Sequence, residues 1–263
     1  MAELDIKSQT IDKALDKLVE PVYTDAAKPL ITTTKGALGF CSQFIVSGVK
    51  PYMYSKIKEC EYKIKEIDKK LEEKYNNIPD KNKTEPRTNI LGPAVDVLKY
   101  NLEEEHIKEM FINLIGNDLD ISKQPKVLPS YIEIVKQLSK SDAELLTYFS
   151  KNNMISEPIL KLKVAYSTGG FTYYSNDLIL INNNTYKILK SITLDNLCRL
   201  KIIELDFMEH RNDNSIYETA FKSVTSGKEF EVFSSQADKK LDYSKGLLKI
   251  TDFGKNFIDI CLS

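Results

Sequence analysis

Apolar residues recur at helical spacing through the first half of the chain. Ile11, Leu15, Leu18 and Val22 predict a helix that Pro21 and Pro29 end or kink. The least polar stretch, "GALGFCSQFIVSGV" from Gly36 to Val49, predicts a second. Beyond Pro51, the residues Ile57, Cys60, Ile64, Ile67, Leu71 and Tyr75 alternate by threes and fours. That narrow seam predicts a long helix packed in a helical hairpin. Three prolines and several turn residues in "NNIPDKNKTEPRTNILGP", Asn76 to Pro93, then predict a connecting loop. Asn101 and Glu104 stand at capping-box spacing before the stripe Ile107, Met110, Phe111, Leu114 and Ile115. Pro129 suits a helix's first turn and is followed by Tyr131, Ile134, Val135 and Leu138 on one face. Ser139 and Asp142 predict a capping box for a helix that holds Ala143, Leu146 and Phe149.

After Phe149 the pattern changes. "DLILINNNTYKILKSITLDNLCRL" reads as a short apolar run, an Asn turn and a helix with Leu189, Ile192, Thr193, Leu197 and Leu200 inward. "KIIELDF" alternates as a strand and "KGLLKI" suits its partner, while "DFGKNFIDICL" closes with Phe253, Phe257, Ile260 and Cys261 on one helical face. The expected fold is mainly α, an N-terminal helical hairpin or bundle over residues 1–125 followed by a winged-helix-like α+β domain over 126–263. Residues 208–243 are too long for a simple wing and are expected to form an insertion.

Charge narrows the uses of such a fold. The 263 residues carry 37 basic and 38 acidic side chains, so no global field attracts phosphate or anionic lipid. The segment Lys56–Lys74 holds seven lysines against six acids, a solvated face of mixed sign. The 14 uncharged residues of Gly36–Val49 would extend about 21 Å as a helix, short of the roughly 30 Å hydrocarbon core. They suit a buried helix, with an interfacial membrane element as the alternative. Cys41, Cys60, Cys198 and Cys261 are scattered and form no C-x-x-C, which suits reduced thiols and a cytoplasmic setting.

Several strings invite chemistry and fail on context. "HRND" at His210–Asp213 and "DFG" at Asp252–Gly254 lack the glycine-rich loop and strand-borne lysine that a kinase needs. "EEEH" at Glu103–His106 supplies one E-x-x-H where a carboxylate-bridged metal pair needs two. No Walker lysine follows a glycine-rich loop, no G-x-S-x-G is present, and neither histidine follows an arginine at the short spacing of helical defence ribonucleases. A non-enzymatic protein without cofactor or metal is the expectation. Lys187, Lys190 and Arg199 are the candidate interaction surface, the exposed side of the helix ending at Leu200. From Lys126 to Ser263 there are 18 basic and 17 acidic residues, too even a balance for a duplex-DNA grip and better suited to a protein partner.

The order of five segments resembles the abortive-infection alpha family of bacterial proteins. They are Val22-Tyr23-Thr24-Asp25 with Pro29, "EKYNNIPDKNKTEP" (Glu73–Pro86), "GPAVDVLKY" (Gly92–Tyr100), "EMFINLIGNDLD" (Glu109–Asp120) and "LPSYIEIVKQLSKSDAELL" (Leu128–Leu146). "LDNLCRLKIIEL" and "ITDFGKNFIDICL" match more loosely. Leu128 stands where the family usually has His, and Tyr131 where it has Phe. The resemblance implies a role in defence against phage and supplies no catalytic residue. The expected partners are a protein or phage component and further copies of the chain in a homo-oligomer, with DNA and membrane association through Gly36–Val49 as the weaker alternatives.

Overall fold

The protein is described by a computed structural model that covers residues 57–262, apart from Lys99, Asn183, Asn184, Ser235 and Gln236. The expected helices at Ile11–Val22 and Gly36–Val49 lie outside the described residues, as do the side chains of Ile57, Cys60 and Ile64. The chain divides into two compact units, one running to Gln137 and taking in Ile260–Ser263, the other Leu138–Asp259.

The first unit is helical where described: α1 (Ile57–Asn77), α2 (Thr88–Leu98), α3 (Glu105–Asp118) and α4 (Ser130–Gln137). α1 buries Ile67 and Leu71 and packs on α3, as the seam predicts. α3 buries its apolar stripe and its polar flank as well, including Lys108, Asn113, Asn117 and Asp118, which marks it as the centre of the unit. Its cap differs from the prediction. Glu104 occupies the N-cap without a side-chain hydrogen bond, while Asn101 donates from Nδ2 to the Val97 carbonyl at 2.9 Å. The loop expected over Asn76–Pro93 is shorter, because α1 runs to Asn77 and α2 begins at Thr88 with Pro93 inside it. Burial of Ile90, Leu91, Ala94, Val95 and Leu98 outweighs the broken hydrogen bond at Pro93.

The second unit overturns the winged-helix expectation and the mainly-α class with it. It comprises α5 (Lys140–Lys151), β1 (Ser156–Tyr166), β2 (Phe171–Tyr173), β3 (Leu178–Asn182), β4 (Thr185–Leu189), α6 (Ser191–Arg199), β5 (Ile203–Asp206), α7 (Asn214–Val224), the short α8 (Glu231–Ser234) and β6 (Lys239–Ile250). The last helix, α9, spans Asp252–Cys261. The six strands form one antiparallel sheet in the order β4-β3-β1-β6-β5, with β2 paired to β1 beside β3. "KIIELDF" and "KGLLKI" do pair, Ile203 opposite Ile250, but β6 continues back to Lys239 and pairs with β1 along its whole length. The expected wing is thus the middle of a sheet. Within residues 208–243, α7 covers one sheet face. Tyr217 and Ala220 pack there with Leu160, Leu162, Ile179 and Ile181.

The helix expected from Leu189 onward starts later. Thr185–Leu189 is a strand, α6 begins at Ser191, and Ile192 is 79% exposed rather than inward. Ser139 and Asp142 form the predicted capping box, and the buried Asp142 carboxylate also accepts from Asn196 Nδ2 at 2.7 Å.

Candidate functional site

The three lysine and arginine positions singled out by pattern lie on two elements, Lys187 on β4 and Lys190 and Arg199 at the two ends of α6. Lys187 is exposed on β4, its Nζ 4.4 Å from the centre of the Tyr148 ring of α5, and the Tyr148 hydroxyl lies 3.5 Å from Asn182 Nδ2. Lys190 holds the N-cap position of α6 and pairs with Asp177 at 2.8 Å. That carboxylate also accepts from the Ser191 backbone N–H, and Lys190 and then Ser191 hold its pKa below the usual aspartate value. Arg199 stands in the last turn of α6 and donates to Asn196 Oδ1 at 2.7 Å. At that end its charge suits the helix dipole.

A second group, which pattern reading missed, shares one open sheet face. Side chains opposite each other across paired strands project to the same side. The β1 register therefore aligns Ala165 with Phe171 and Lys240, Lys163 with Tyr173 and Asp242, and Lys161 with Ser244. Phe171 and Tyr173 are 49% and 45% exposed, with ring centres 5.4 Å apart and planes at 70°. Lys161 Nζ lies 4.0 Å from the Tyr173 ring centre and Lys163 Nζ 5.0 Å from that of Phe171. Lys163 also reaches Asp242 at 3.4 Å, and Lys161 reaches Asn176 Oδ1 at 3.3 Å. Asn176 adjoins Asp177, the partner of Lys190, so that candidate borders this face. The signal was present in "ILKLKVAY", where lysines alternate with buried Leu160, Leu162 and Val164. The opposite side of β1 meets the α7 core, which leaves only the lysine side open at this end of the strand.

In the first unit the polar residues knit the loops. Asp118, fully buried, accepts from the Arg87 backbone N–H at 2.7 Å and from its Nε at 2.8 Å. Arg87 Nη2 donates to the carbonyls of Gln124 and Val127. Thr84 N–H donates to the Leu119 carbonyl and Ile121 N–H to that of Asn82. The segments "DKNKTEPR", "GNDLD" and "KQPKV" are thereby tied to one another. Asn113 and Asn117 donate to the carbonyls of Cys261 and Ile260, which belong to the same unit. Beside them lies a cleft of about 180 Å³ lined by Lys74, Asn77, Gly116, Asn117, Asp120 and Lys123. Burial, and next the charge of Lys123, lowers the Lys74 pKa.

The strings that imitate catalytic motifs have structural places. Asp213 of "HRND" caps α7 by accepting from the Ser215 N–H, and His210 is exposed. Asp252 of "DFG" pairs with Lys255. Gly254 passes so close to the Ile202 carbonyl that a Cβ there would lie 2.0 Å from the oxygen. His106 is half-buried at the start of α3. Among the described residues, no group of three or more His, Cys, Asp or Glu is arranged to hold a metal, and no helix is long and apolar enough to cross a membrane.

Compared with known proteins, residues 59–261 match the family model described as abortive infection alpha. No curated protein and no solved structure matches the chain.

Proposed function

Since the chain belongs to the abortive infection alpha family, we propose that it is a bacterial anti-phage defence protein of abortive-infection type that acts by binding rather than by catalysis. The observation that carries the binding reading is the open β1–β2–β6 face. Two large aromatic rings, which burial would ordinarily favour, stand about half exposed beside lysines on one sheet face. Exposed aromatic rings are enriched in recognition surfaces. The non-enzymatic reading is supported by the structural places of the tempting motifs. Asp213 caps a helix, Gly254 serves a close approach, and Asp118 is consumed by Arg87.

The test is inducible expression during phage challenge, with plaque number and cell survival followed together. Plaquing falls in cells with the wild-type protein, and the fall survives His106→Ala and His210→Ala. Normal plaquing with the wild type removes the defence reading. Loss of protection with either histidine variant, at unchanged protein level, restores an enzymatic one.

A further inference from the structure

We infer that the open β1–β2–β6 face binds single-stranded nucleic acid, with Phe171 and Tyr173 as base-stacking platforms and Lys161, Lys163 and Lys240 as phosphate contacts. This names the partner class of the face on which the proposed function rests. Charge complementarity is local and pronounced. The stretches Lys161–Tyr173 and Lys239–Lys245 together hold five lysines, and Asp242 is their one acid. Three of those lysines share the face with the two rings by strand register. The even charge of the whole chain argues against a broad electrostatic grip but leaves this strip intact.

The arrangement selects single strands over duplexes. Unpaired bases offer π-faces to exposed rings, and stacking is tolerant of sequence because every base has such a face. In a duplex those faces are already stacked. Without nucleic acid the rings are occupied by the lysines themselves, Lys161 over Tyr173 and Lys163 over Phe171. A base arriving on either ring displaces an ammonium on a flexible stem, and that ammonium then reaches the adjoining phosphate. The exchange replaces an exposed cation–π contact with base stacking, the stronger of the two, and adds a phosphate contact. Ser244, opposite Lys161, borders the strip with a hydroxyl that is indifferent to base identity.

The experiment uses the purified full chain with fluorescent oligothymidylate and oligouridylate of about 16 nucleotides, the upper site size for a single sheet platform of this kind. A matched duplex and heparin are the comparison arms. The wild type binds the single strands with a log–log salt slope of about −2, for three lysine contacts at about 0.7 per phosphate. Phe171→Ala and Tyr173→Ala each weaken binding by about five- to 150-fold. Tyr173→Phe, which keeps the ring, binds as the wild type does, and the Lys161→Gln/Lys163→Gln pair flattens the slope by about 1.4. Tighter binding to one of the two single strands identifies RNA or DNA as the source.

Absent binding at low salt, a duplex bound as tightly as the single strands, or ring variants equal to wild type overturns the inference. So does heparin binding that shows the same ring dependence, because heparin has no bases. Phage challenge with Phe171→Ala/Tyr173→Ala separates this inference from the reading beneath it. If protection is lost although the wild type binds no oligonucleotide, nucleic acid is refuted and the face stands. If protection is full although oligonucleotide binding is lost, the role of the face in defence is refuted.

Discussion

Replacing Arg87 with Met should unfold the first unit at a markedly lower temperature. The Asp118 carboxylate is fully buried, accepts from the Arg87 backbone N–H and Nε, and lies 2.6 Å from Arg87 Nη2 in the ion pair. The same Nη2 satisfies the carbonyls of Gln124 and Val127, at 3.1 and 2.7 Å. Methionine keeps the length of the stem but leaves a buried carboxylate with the backbone N–H alone and two carbonyls without this donor. Breaking one side of a buried, hydrogen-bonded pair costs about 3–5 kcal/mol. For a unit of this size that is a fall in midpoint of about 10–20 °C by calorimetry. The Arg87→Met/Asp118→Leu double variant should regain part of the loss, because no unpaired charge is then buried. An Arg87→Met protein within about 1 kcal/mol of wild type would refute the claim that this knot fastens the loops.

Three further outcomes follow from particular contacts. Gly254→Ala should destabilise by about 1–3 kcal/mol despite a helix-propensity gain of about 1 kcal/mol, because its Cβ would meet the Ile202 carbonyl oxygen; a raised denaturation midpoint would contradict this. The ion network of α1 and α3 sets a pH window. Lys70 above all lowers the Glu66 pKa, Lys108 does the same for Glu105, and, against the desolvation that lowers it, the Lys70 pKa is raised by the hydrogen bonds it donates to Glu109 and Glu66. The carboxylates' contribution is therefore present above the ordinary value of about 4.3 and lost as pH falls through their lowered values, while that of Lys70 is present below about 10.4 and lost only as pH climbs through its raised value. Equilibrium denaturation of Lys70→Met against wild type should show the difference shrinking on the acid side; a constant difference would sink the assignment. Cys261 is fully buried with its thiol pKa pushed well up, so site-resolved alkylation at neutral pH should proceed there only as fast as the protein opens, and rapid labelling in native buffer would count against its burial.

How far such contacts could be foreseen depended on their range along the chain. The Ser139–Asp142 box was legible because three residues suffice to define it, and the stripe from Ile107 to Ile115 because a single period does. The β5–β6 pairing was legible from two alternating runs, yet its setting was not. "ILKLKVAY" alternates as well, but only its pairing with β6 makes that wing-like strand the middle of a sheet. Leu189, Ile192, Thr193, Leu197 and Leu200 meet a helical spacing whichever residue starts it, so that spacing does not report that Thr185–Leu189 is a strand. Pro93 hid α2, whose buried residues nonetheless keep helical spacing around it. The Arg87 knot joins positions 31 to 40 residues apart, and no local periodicity reports such a contact. The aromatic–lysine face has the same origin. Phe171 and Tyr173 lie in a three-residue strand whose meaning comes from the lysines of β1 and the partner strand β6.

The most direct test of the account is infection of cells expressing the wild type, Phe171→Ala/Tyr173→Ala or Lys161→Gln/Lys163→Gln at matched, soluble levels. Phage yield and survival would be counted at low and high multiplicity. The account predicts that the wild type cuts phage yield with infected-cell death at high multiplicity, and that both face variants restore yield without loss of fold by circular dichroism. Full protection by both variants would contradict it, because the defence would then not pass through this face.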